Sequence, residues 1–368
     1  MKGRERELSR SLDLLSQLRK ENGHRYAVIE GNRDCNRHCS YCAVPQQYKR
    51  EQESTLDETF RSVDWVHNQG YRLLSYIGGE PLSPYVTKEG ITFAEHTTEV
   101  VRYATKKGMI VSVTTNGDFV DEDTVKSLKE AGLDAISFSL HTYSEPGLSH
   151  IIKGARLAAK SGIIPTVQVV FTSERANQIP GIAAHVAEQG ILFSAAIAQE
   201  KGGGFSAAKK EKSIVPTVEQ QKEVLGALLR LKTFGFVRDN RNYLTQAPSY
   251  PNNSWTCDPS RDTFIHIGAG GKLDVCSDVR TNINVGDIND LQSKEWRDLK
   301  KELVANCGNC MYGCYYEAQN PSLIGDLPTM FVMALIKTGH AGLAEKLGKF
   351  AVSSLKRNPK GINWDLQI

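Results

Sequence analysis

The 368-residue sequence predicts an α/β fold, in which a partial (β/α)6 TIM-like barrel is followed by a small α+β domain and a helical C-terminal tail. Two observations predict the barrel. Six β/α units follow one another between residues 26 and 198, which implies a parallel sheet with right-handed crossovers. Residues suited to metal binding or catalysis come directly after consecutive strands, where barrels build their active sites. An open doubly wound sheet fits the periodicity too, but the placement of these residues favours the barrel.

Each unit combines a β-rich run with a helical pattern. The predicted strands are 26–30, 73–77, 110–115, 135–140, 165–171 and 193–198. The segments between them have apolar residues at helical spacing and end at glycine, a common helix stop. Asp57, Asp121 and Asp123 stand near predicted helix starts, where a carboxylate caps free N–H groups and opposes the helix dipole.

The rest of the chain divides by composition. We predict an N-terminal helix at 1–25, the barrel at 26–198, and a Gly- and Lys-rich linker or lid with a helix at 199–240. Residues 241–325 form the small domain. Residues 326–368 form a basic amphipathic helical tail.

Composition and charge exclude several classes of protein. The net charge of +3 is too small to indicate nucleic-acid binding. The N-terminus lacks the apolar core of a signal peptide, and no apolar run reaches the roughly 18 to 20 residues of a membrane span. We therefore expect a cytoplasmic protein with no nucleic-acid partner.

The tail allows two interpretations. Its apolar residues alternate with lysines, as in helices that lie on anionic membranes. Such a peripheral contact with the inner membrane face would suggest a lipid or isoprenoid substrate. The alternative is a helix pair that covers the open flank of the barrel.

Three cysteines, Cys35, Cys39 and Cys42, follow the first predicted strand. In a reducing compartment such clusters indicate metal sites rather than disulfides. Three thiolates can hold three irons of a [4Fe–4S] cluster and leave the fourth iron open for substrate or cofactor. A zinc site would need a fourth ligand, and the one nearby, His38, lies in the cramped stretch between two of the cysteines.

The segment CNRHCSYC resembles the Cys-x3-Cys-x2-Cys motif of the radical S-adenosylmethionine (AdoMet) superfamily, including the aromatic Tyr41 before the last cysteine. IGGEPL after the second strand strengthens the resemblance, which spans 26–198. It implies a [4Fe–4S] cluster whose free iron chelates the amino and carboxylate groups of AdoMet. It also implies reductive cleavage of the C5′–S bond to a 5′-deoxyadenosyl radical.

The resemblance implies further contacts to AdoMet. Gly78, Gly79 and Glu80 match the family's GGE loop, which contacts the methionine ammonium group. Glycine permits close approach of the backbone, and a carboxylate suits a cation.

Residues after the third and fourth strands complete the resemblance. Thr115 and Ser139 match strand-end hydroxyls that contact the AdoMet carboxylate or ribose, and Asn116 follows in the same TTNG motif. His141 stands where many relatives have aspartate. It is either a rim residue, or a substrate contact or proton relay.

The other five cysteines lie between residues 257 and 314. A hairpin with the turn GAGGK is predicted between the first two, followed by a strand and a tryptophan-containing helix. This order resembles the twitch and SPASM extensions of radical AdoMet enzymes. It implies one auxiliary [4Fe–4S] cluster on Cys257, Cys276, Cys307 and Cys310, with Cys314 spare or replacing Cys310. A structural zinc is the alternative.

The leading hypothesis is a radical AdoMet oxidoreductase that takes hydrogen from a C–H bond of a small molecule, as the resembling aminocyclitol alcohol dehydrogenases do. The auxiliary cluster would relay electrons, and flavodoxin or ferredoxin would be the external donor. A rival is crosslinking or epimerisation of a ribosomal peptide, for which residues 1–25 look too short to bind a leader. A non-enzymatic electron carrier or zinc-stabilised binding module is a third class, but a carrier needs no GGEP loop beside an open iron.

Overall fold

The computed structural model describes residues 25–39, 42, 53–199, 214–252, 255–307 and 310–367. The helix predicted at 1–25 lies almost wholly outside the described residues. The Gly- and Lys-rich part of the predicted lid, 200–213, also lies outside them.

Six parallel strands form the barrel sheet and pair in chain order, from Tyr26 opposite Leu73 to Thr166 opposite Leu192. Their carboxyl ends therefore meet at one end of the sheet, and the predicted partial (β/α)6 barrel is confirmed. The strands are β1 (Tyr26–Glu30), β2 (Leu73–Ile77), β3 (Ile110–Thr115), β4 (Ala135–Ser139), β5 (Ile164–Phe171) and β6 (Leu192–Ile197).

A helix follows each strand, and side-chain caps set several helix starts. Asp121 accepts a hydrogen bond from the N–H of Thr124 at 2.8 Å, as predicted for a capping carboxylate. The same helix ends at Gly132, whose φ of 95° lies in the left-handed region that glycine adopts without strain. The helices are α1 (Leu56–Asn68), α2 (Phe93–Lys106), α3 (Glu122–Ala131), α4 (Glu145–Lys160), α5 (Ile179–Glu188) and α6 (Val218–Lys232).

The predicted hairpin forms, and it also extends the barrel sheet, which the sequence did not indicate. Strands β7 (Phe264–Gly268) and β8 (Lys272–Asp274) are antiparallel, and β7 pairs in parallel with β1. The sheet therefore has the order β6-β5-β4-β3-β2-β1-β7-β8. The strand expected after the hairpin is replaced by a short 3-10 turn at Val285–Asp287, because Asn284 and the Asp287 carboxylate cap each other's backbone.

The helical tail packs on the barrel, which was one of its two predicted arrangements. Helix α11 lies so close to α5 that a Cβ on Gly348 would come within 1.7 Å of the carbonyl oxygen of Ala187. On α10, Lys337 Nζ donates to Asp134 Oδ1 at 2.8 Å. The C-terminal helices are α7 (Arg241–Gln246), α8 (Lys294–Ala305), α9 (Gly313–Gln319), α10 (Leu323–Lys337) and α11 (Ala341–Arg357).

Helix α10 nevertheless leaves apolar side chains in solvent, with Ile324 86% and Phe331 57% exposed. Peripheral membrane contact therefore stays a prediction. None of the helices in the described ranges combines the length and the hydropathy that crossing a bilayer requires.

Candidate active site and auxiliary cysteine site

The loop after β1 brings the first three cysteines to the carboxyl end of the strands. Cys35, Cys39 and Cys42 are half-buried and line a cavity of about 320 Å³. Three thiols at the mouth of a barrel cavity are a suitable donor set for an iron–sulfur cluster with one open iron. Tyr41 lies outside the described residues.

The loop after β2 holds this cysteine loop in place through its backbone. The N–H of Gly79 donates to the carbonyl oxygen of Asn32 at 3.0 Å, and the N–H of Glu80 donates to that of Asp34 at 2.7 Å. A Cβ on Gly79 would lie only 1.8 Å from the carbonyl oxygen of Asp34. The close approach predicted for these glycines is therefore an approach to the cysteine loop, and Gly78 and Gly79 also line the cavity.

Substituting Gly79→Ala is expected to displace the cysteine loop, because the added methyl group overlaps a backbone atom that cannot rotate away. Overpacking of this kind costs about 1 to 3 kcal/mol. We expect lower iron content after reconstitution and weaker AdoMet binding, measured by iron analysis and calorimetry. Gly226→Ala is the matched control, since a Cβ there meets nothing within 4 Å. Equal iron content and affinity in both variants would contradict the assigned role.

Glu80 differs from the expectation of a direct contact with the methionine ammonium group. Its side chain is fully buried, and its Oε1 accepts from Thr115 Oγ1 at 2.7 Å while Oε2 accepts from the N–H of Asn116 at 2.6 Å. Burial raises the pKa of Glu80 to about 7. The carboxylate therefore positions the end of β3, and the ammonium contact, which stays a prediction, falls to the backbone of the GGE loop.

Asn116 links the end of β3 to the cysteine loop, and it does so with partners that the sequence analysis missed. Its Nδ2 donates to Asn36 Oδ1 at 2.7 Å, and Asn36 Nδ2 donates to Asp118 Oδ2 at 2.8 Å. Arg37 Nε donates to the same Asp118 oxygen at 2.7 Å. One feature of the sequence could have indicated this contact between the two loops. Arg37 and Asp118 carry opposite charges, and each lies in a loop that follows a strand.

The fourth strand and the loop after it add two predicted residues to the cavity. Ser139, at the end of β4, and Thr115, at the end of β3, both line it. His141 lines it too, with Nδ1 3.2 Å from Cys39 Sγ. Burial lowers the pKa of His141 to about 4. His141 is therefore a cavity residue beside the cysteine loop rather than a residue of the outer rim.

Four of the remaining cysteines line a second cavity of about 250 Å³. These are the four that the resemblance implied as cluster ligands: Cys257, Cys276, Cys307 and Cys310. The fifth, Cys314, does not line this cavity but faces the first one. Among the described residues no three potential ligands converge on a point that would suit a single metal ion. What the four thiols share is a cavity wall, which fits a polynuclear cluster.

The two cavities are separated by an aromatic wall. Phe264 and Tyr315 line both of them, and their ring centroids lie 4.0 Å apart in a T-shaped arrangement. The hydroxyl oxygen of Tyr315 lies 2.8 Å from the backbone N–H of Ser277, which donates to it. The barrel cavity thus adjoins the auxiliary cysteine site without sharing a cysteine with it.

Single cysteine substitutions should separate the auxiliary ligands from the spare thiol. Cys310→Ala is expected to lose about four of about eight irons, since a four-thiolate cluster loses a ligand. Cys314→Ala is expected to keep them all. Iron and sulfide analysis of anaerobically reconstituted protein provides the measurement. Loss of iron from Cys314→Ala with retention in Cys310→Ala would reverse the assignment.

The fold is a partial TIM-like barrel with three cysteines on its cavity and four more on an adjoining cavity. Residues 29–172 match the family model of the radical SAM superfamily. The family implies a [4Fe–4S] cluster and AdoMet as cofactors.

The chain is also similar to two curated proteins. The Fe-coproporphyrin III synthase of Methanosarcina barkeri is 26% identical over 160 residues, 41% of this chain and 38% of that protein. The PqqA peptide cyclase of Gluconobacter oxydans is 27% identical over 201 residues, 51% of this chain and 52% of that one. The chain thus matches about half or less of the length of these two relatives.

The crystal structure of Streptococcus suis SuiB bound to its precursor peptide SuiA shares the fold. It has a TM-score of 0.56 and 18% identity, and the match covers 84% of this chain and 76% of that one.

Proposed function

We propose that this protein is a radical AdoMet oxidoreductase that removes a hydrogen atom from a C–H bond of an organic substrate held in the barrel cavity. We further propose that the net reaction is a two-electron oxidation of a small molecule, with flavodoxin or ferredoxin as the external reductant. Cys35, Cys39 and Cys42 would hold the first cluster, and Cys257, Cys276, Cys307 and Cys310 would hold the auxiliary one.

The observation that carries this proposal is the shared aromatic wall of the two cavities. Phe264 and Tyr315 place the auxiliary cysteine site next to the barrel cavity, a short distance for an electron to cross. Cys314 faces the barrel cavity instead, which leaves four thiols for the auxiliary cluster and no vacant ligand position for substrate.

When bound, the first cluster and AdoMet would supply a 5′-deoxyadenosyl radical, and the auxiliary cluster would supply an electron acceptor. The chain's own residues set the position of these groups. The backbone of Gly78 and Gly79 would face the methionine ammonium group, and the hydroxyl of Ser139 would face polar groups of AdoMet. The Thr115 hydroxyl is engaged by Glu80 and would act by holding the end of β3 in place.

Modification of a peptide is the second candidate, because the curated PqqA peptide cyclase and the peptide-bound SuiB structure are among the similar proteins.

The two candidates differ in the substrate that should stimulate 5′-deoxyadenosine formation. Reduced, reconstituted protein is incubated with AdoMet and a cell extract, untreated or digested with protease. Stimulation that survives digestion supports a small molecule, whereas stimulation that digestion abolishes supports a peptide and overturns the proposed substrate class.

A further inference from the structure

We propose that the barrel cavity binds an anionic oxygen group of the substrate through Arg238, deep in the cavity, with Tyr243 and Gln199 on the same cavity wall. This inference rests on the proposed function, in which the cavity holds the substrate, and it adds the chemical class of that substrate. All three residues line the cavity. The sequence analysis missed them, because they lie in loops and a short helix outside the six β/α repeats.

Arg238 lies deep in the barrel, far from the mouth. One of its guanidinium nitrogens lies 3.4 Å from Ser194 Oγ, and Ser194 is near the beginning of β6. The cluster cysteines, by contrast, follow the end of β1. Because the six strands are parallel, the cavity runs along the strand direction from the cysteine loop down to Arg238.

Two of the three residues present hydrogen-bonding groups that have no partner among the described residues. Tyr243 is fully buried, and its hydroxyl, beside the backbone of Ile197, has no hydrogen-bond partner of good geometry in the described part of the chain. Gln199 is only 5% exposed; its Oε1 accepts from the N–H of Met311 at 2.9 Å, which fixes the amide and leaves Nε2 without a partner. A buried polar group without a partner costs about 1 to 3 kcal/mol, so a ligand that supplies acceptors is favoured here.

The guanidinium group of Arg238 is also incompletely paired. Its Nε is buried and makes no hydrogen bond, and no carboxylate among the described residues lies within 4.0 Å of it. The nearby Asp239 carboxylate is occupied, since it accepts from Ser194 Oγ at 2.6 Å and from the N–H of Ala195 at 2.9 Å. Glu317 is held by a backbone N–H at 2.6 Å.

The charge of the neighbouring carboxyl groups leaves room for an anion. Burial raises the pKa of Glu317 to about 8, which weakens the negative charge of this group near Arg238. An incoming carboxylate or phosphate would therefore meet a guanidinium group that still lacks a counterion in contact.

The three groups together select an acceptor. A guanidinium, a phenol hydroxyl and an amide NH₂ all donate, and the planar fork of arginine matches two oxygens of a carboxylate or phosphate. An ammonium group on the substrate would be repelled by the positive charge of Arg238. The substrate class that fits is a small organic acid or phosphate ester with its anionic end deep in the barrel and its C–H bond toward the cysteine loop.

The neighbouring Cys314 provides a reporter for this subsite. It lines the same cavity and lies close enough to Arg238 for the guanidinium charge to lower its pKa, although burial, the larger effect, raises that pKa to about 12. Anaerobically reconstituted protein is treated with iodoacetate, which carries a carboxylate, or with neutral iodoacetamide. Mass spectrometry then gives the alkylation rate at Cys314 for each reagent.

The ratio of the iodoacetate rate to the iodoacetamide rate cancels changes in the thiolate fraction of Cys314. We expect this ratio to fall about tenfold in Arg238→Gln, the loss that one charge-assisted hydrogen bond predicts. Tyr243→Phe should lower it less. Arg61→Gln, a substitution of an exposed arginine on α1, should leave it unchanged. An equal ratio in the wild type and Arg238→Gln would overturn the proposal.

Competition distinguishes a binding site from general attraction of anions, and a carboxylate from a phosphate. Acetate or inorganic phosphate should slow the iodoacetate reaction in a saturable way in the wild type but not in Arg238→Gln. The more effective competitor identifies the anion. If chloride at equal ionic strength slows the iodoacetate reaction as much as acetate or phosphate does, the proposed subsite is overturned.

A second measurement decides the case in which Cys314 reacts with neither reagent. A bound anion raises the unfolding midpoint of the holoprotein. We expect acetate or phosphate to raise it above chloride at equal ionic strength in the wild type and not in Arg238→Gln. No rise in the wild type overturns the proposal. Neither measurement requires AdoMet cleavage, so failure of the subsite is distinct from failure of the proposed function.

Discussion

Replacing Cys35, Cys39 and Cys42 with alanine is expected to abolish 5′-deoxyadenosine formation and to halve the iron content. The three thiols line one cavity, and the four auxiliary cysteines line another, so loss of the first set leaves the second intact. Two [4Fe–4S] clusters hold about eight irons, and the variant should keep about four. Because radical formation requires the first cluster, we expect turnover to fall below detection.

Iron analysis, the visible absorption spectrum and chromatography of 5′-deoxyadenosine provide the measurements. The thermal unfolding midpoint of the variant shows that the barrel still folds. Retention of all the iron, or continued formation of 5′-deoxyadenosine, would contradict the assignment of these cysteines.

Truncation after Pro321 is expected to cause the largest loss of stability. It removes α10 and α11, whose buried apolar side chains each contribute about 1.5 to 3 kcal/mol. It also leaves Lys232, which is buried and pairs with Asp326 at 2.7 Å, without its partner, at a cost of about 3 to 5 kcal/mol. The sum is on the order of the whole net stability of a domain. The buried side chains lost include Val332, Ile336, Ala344, Ala351, Val352, Leu355 and Trp364.

We therefore expect the truncated protein to be insoluble or to unfold at a far lower temperature than the intact protein. Ile324→Ser is the control, because this side chain on α10 is 86% exposed and its loss should change the free energy of unfolding by less than about 0.5 kcal/mol. A truncated protein with an unchanged unfolding midpoint would show that the tail does not belong to the folded core. Sedimentation of the intact protein with anionic vesicles at low salt tests the membrane alternative separately.

The barrel could be predicted from the sequence because its signals are local. The alternation of β-rich and helical runs, the capping by Asp121 and the glycine stops depend on residues a few positions apart. The cysteine sites could be predicted because ligand type and spacing carry the chemistry themselves.

Long-range arrangements could not be predicted in the same way. The pairing of β7 with β1 joins segments far apart in the chain, and nothing in either segment specifies the other. Glu80 has the residue type of an ammonium ligand, yet its orientation follows from the positions of Thr115 and Asn116, which only the folded structure gives. Arg238 lies outside every motif and is recognised only because its Nε has no partner in the cavity wall.

We propose that the barrel cavity cleaves AdoMet beside an iron–sulfur cluster held by Cys35, Cys39 and Cys42. The most direct test is electron paramagnetic resonance of the reduced, reconstituted protein with and without AdoMet, together with assay of 5′-deoxyadenosine. We predict that AdoMet changes the cluster signal of the wild type and that 5′-deoxyadenosine forms. The triple cysteine variant should show neither effect. A signal that AdoMet leaves unchanged, without 5′-deoxyadenosine, would instead indicate an electron carrier and contradict the account.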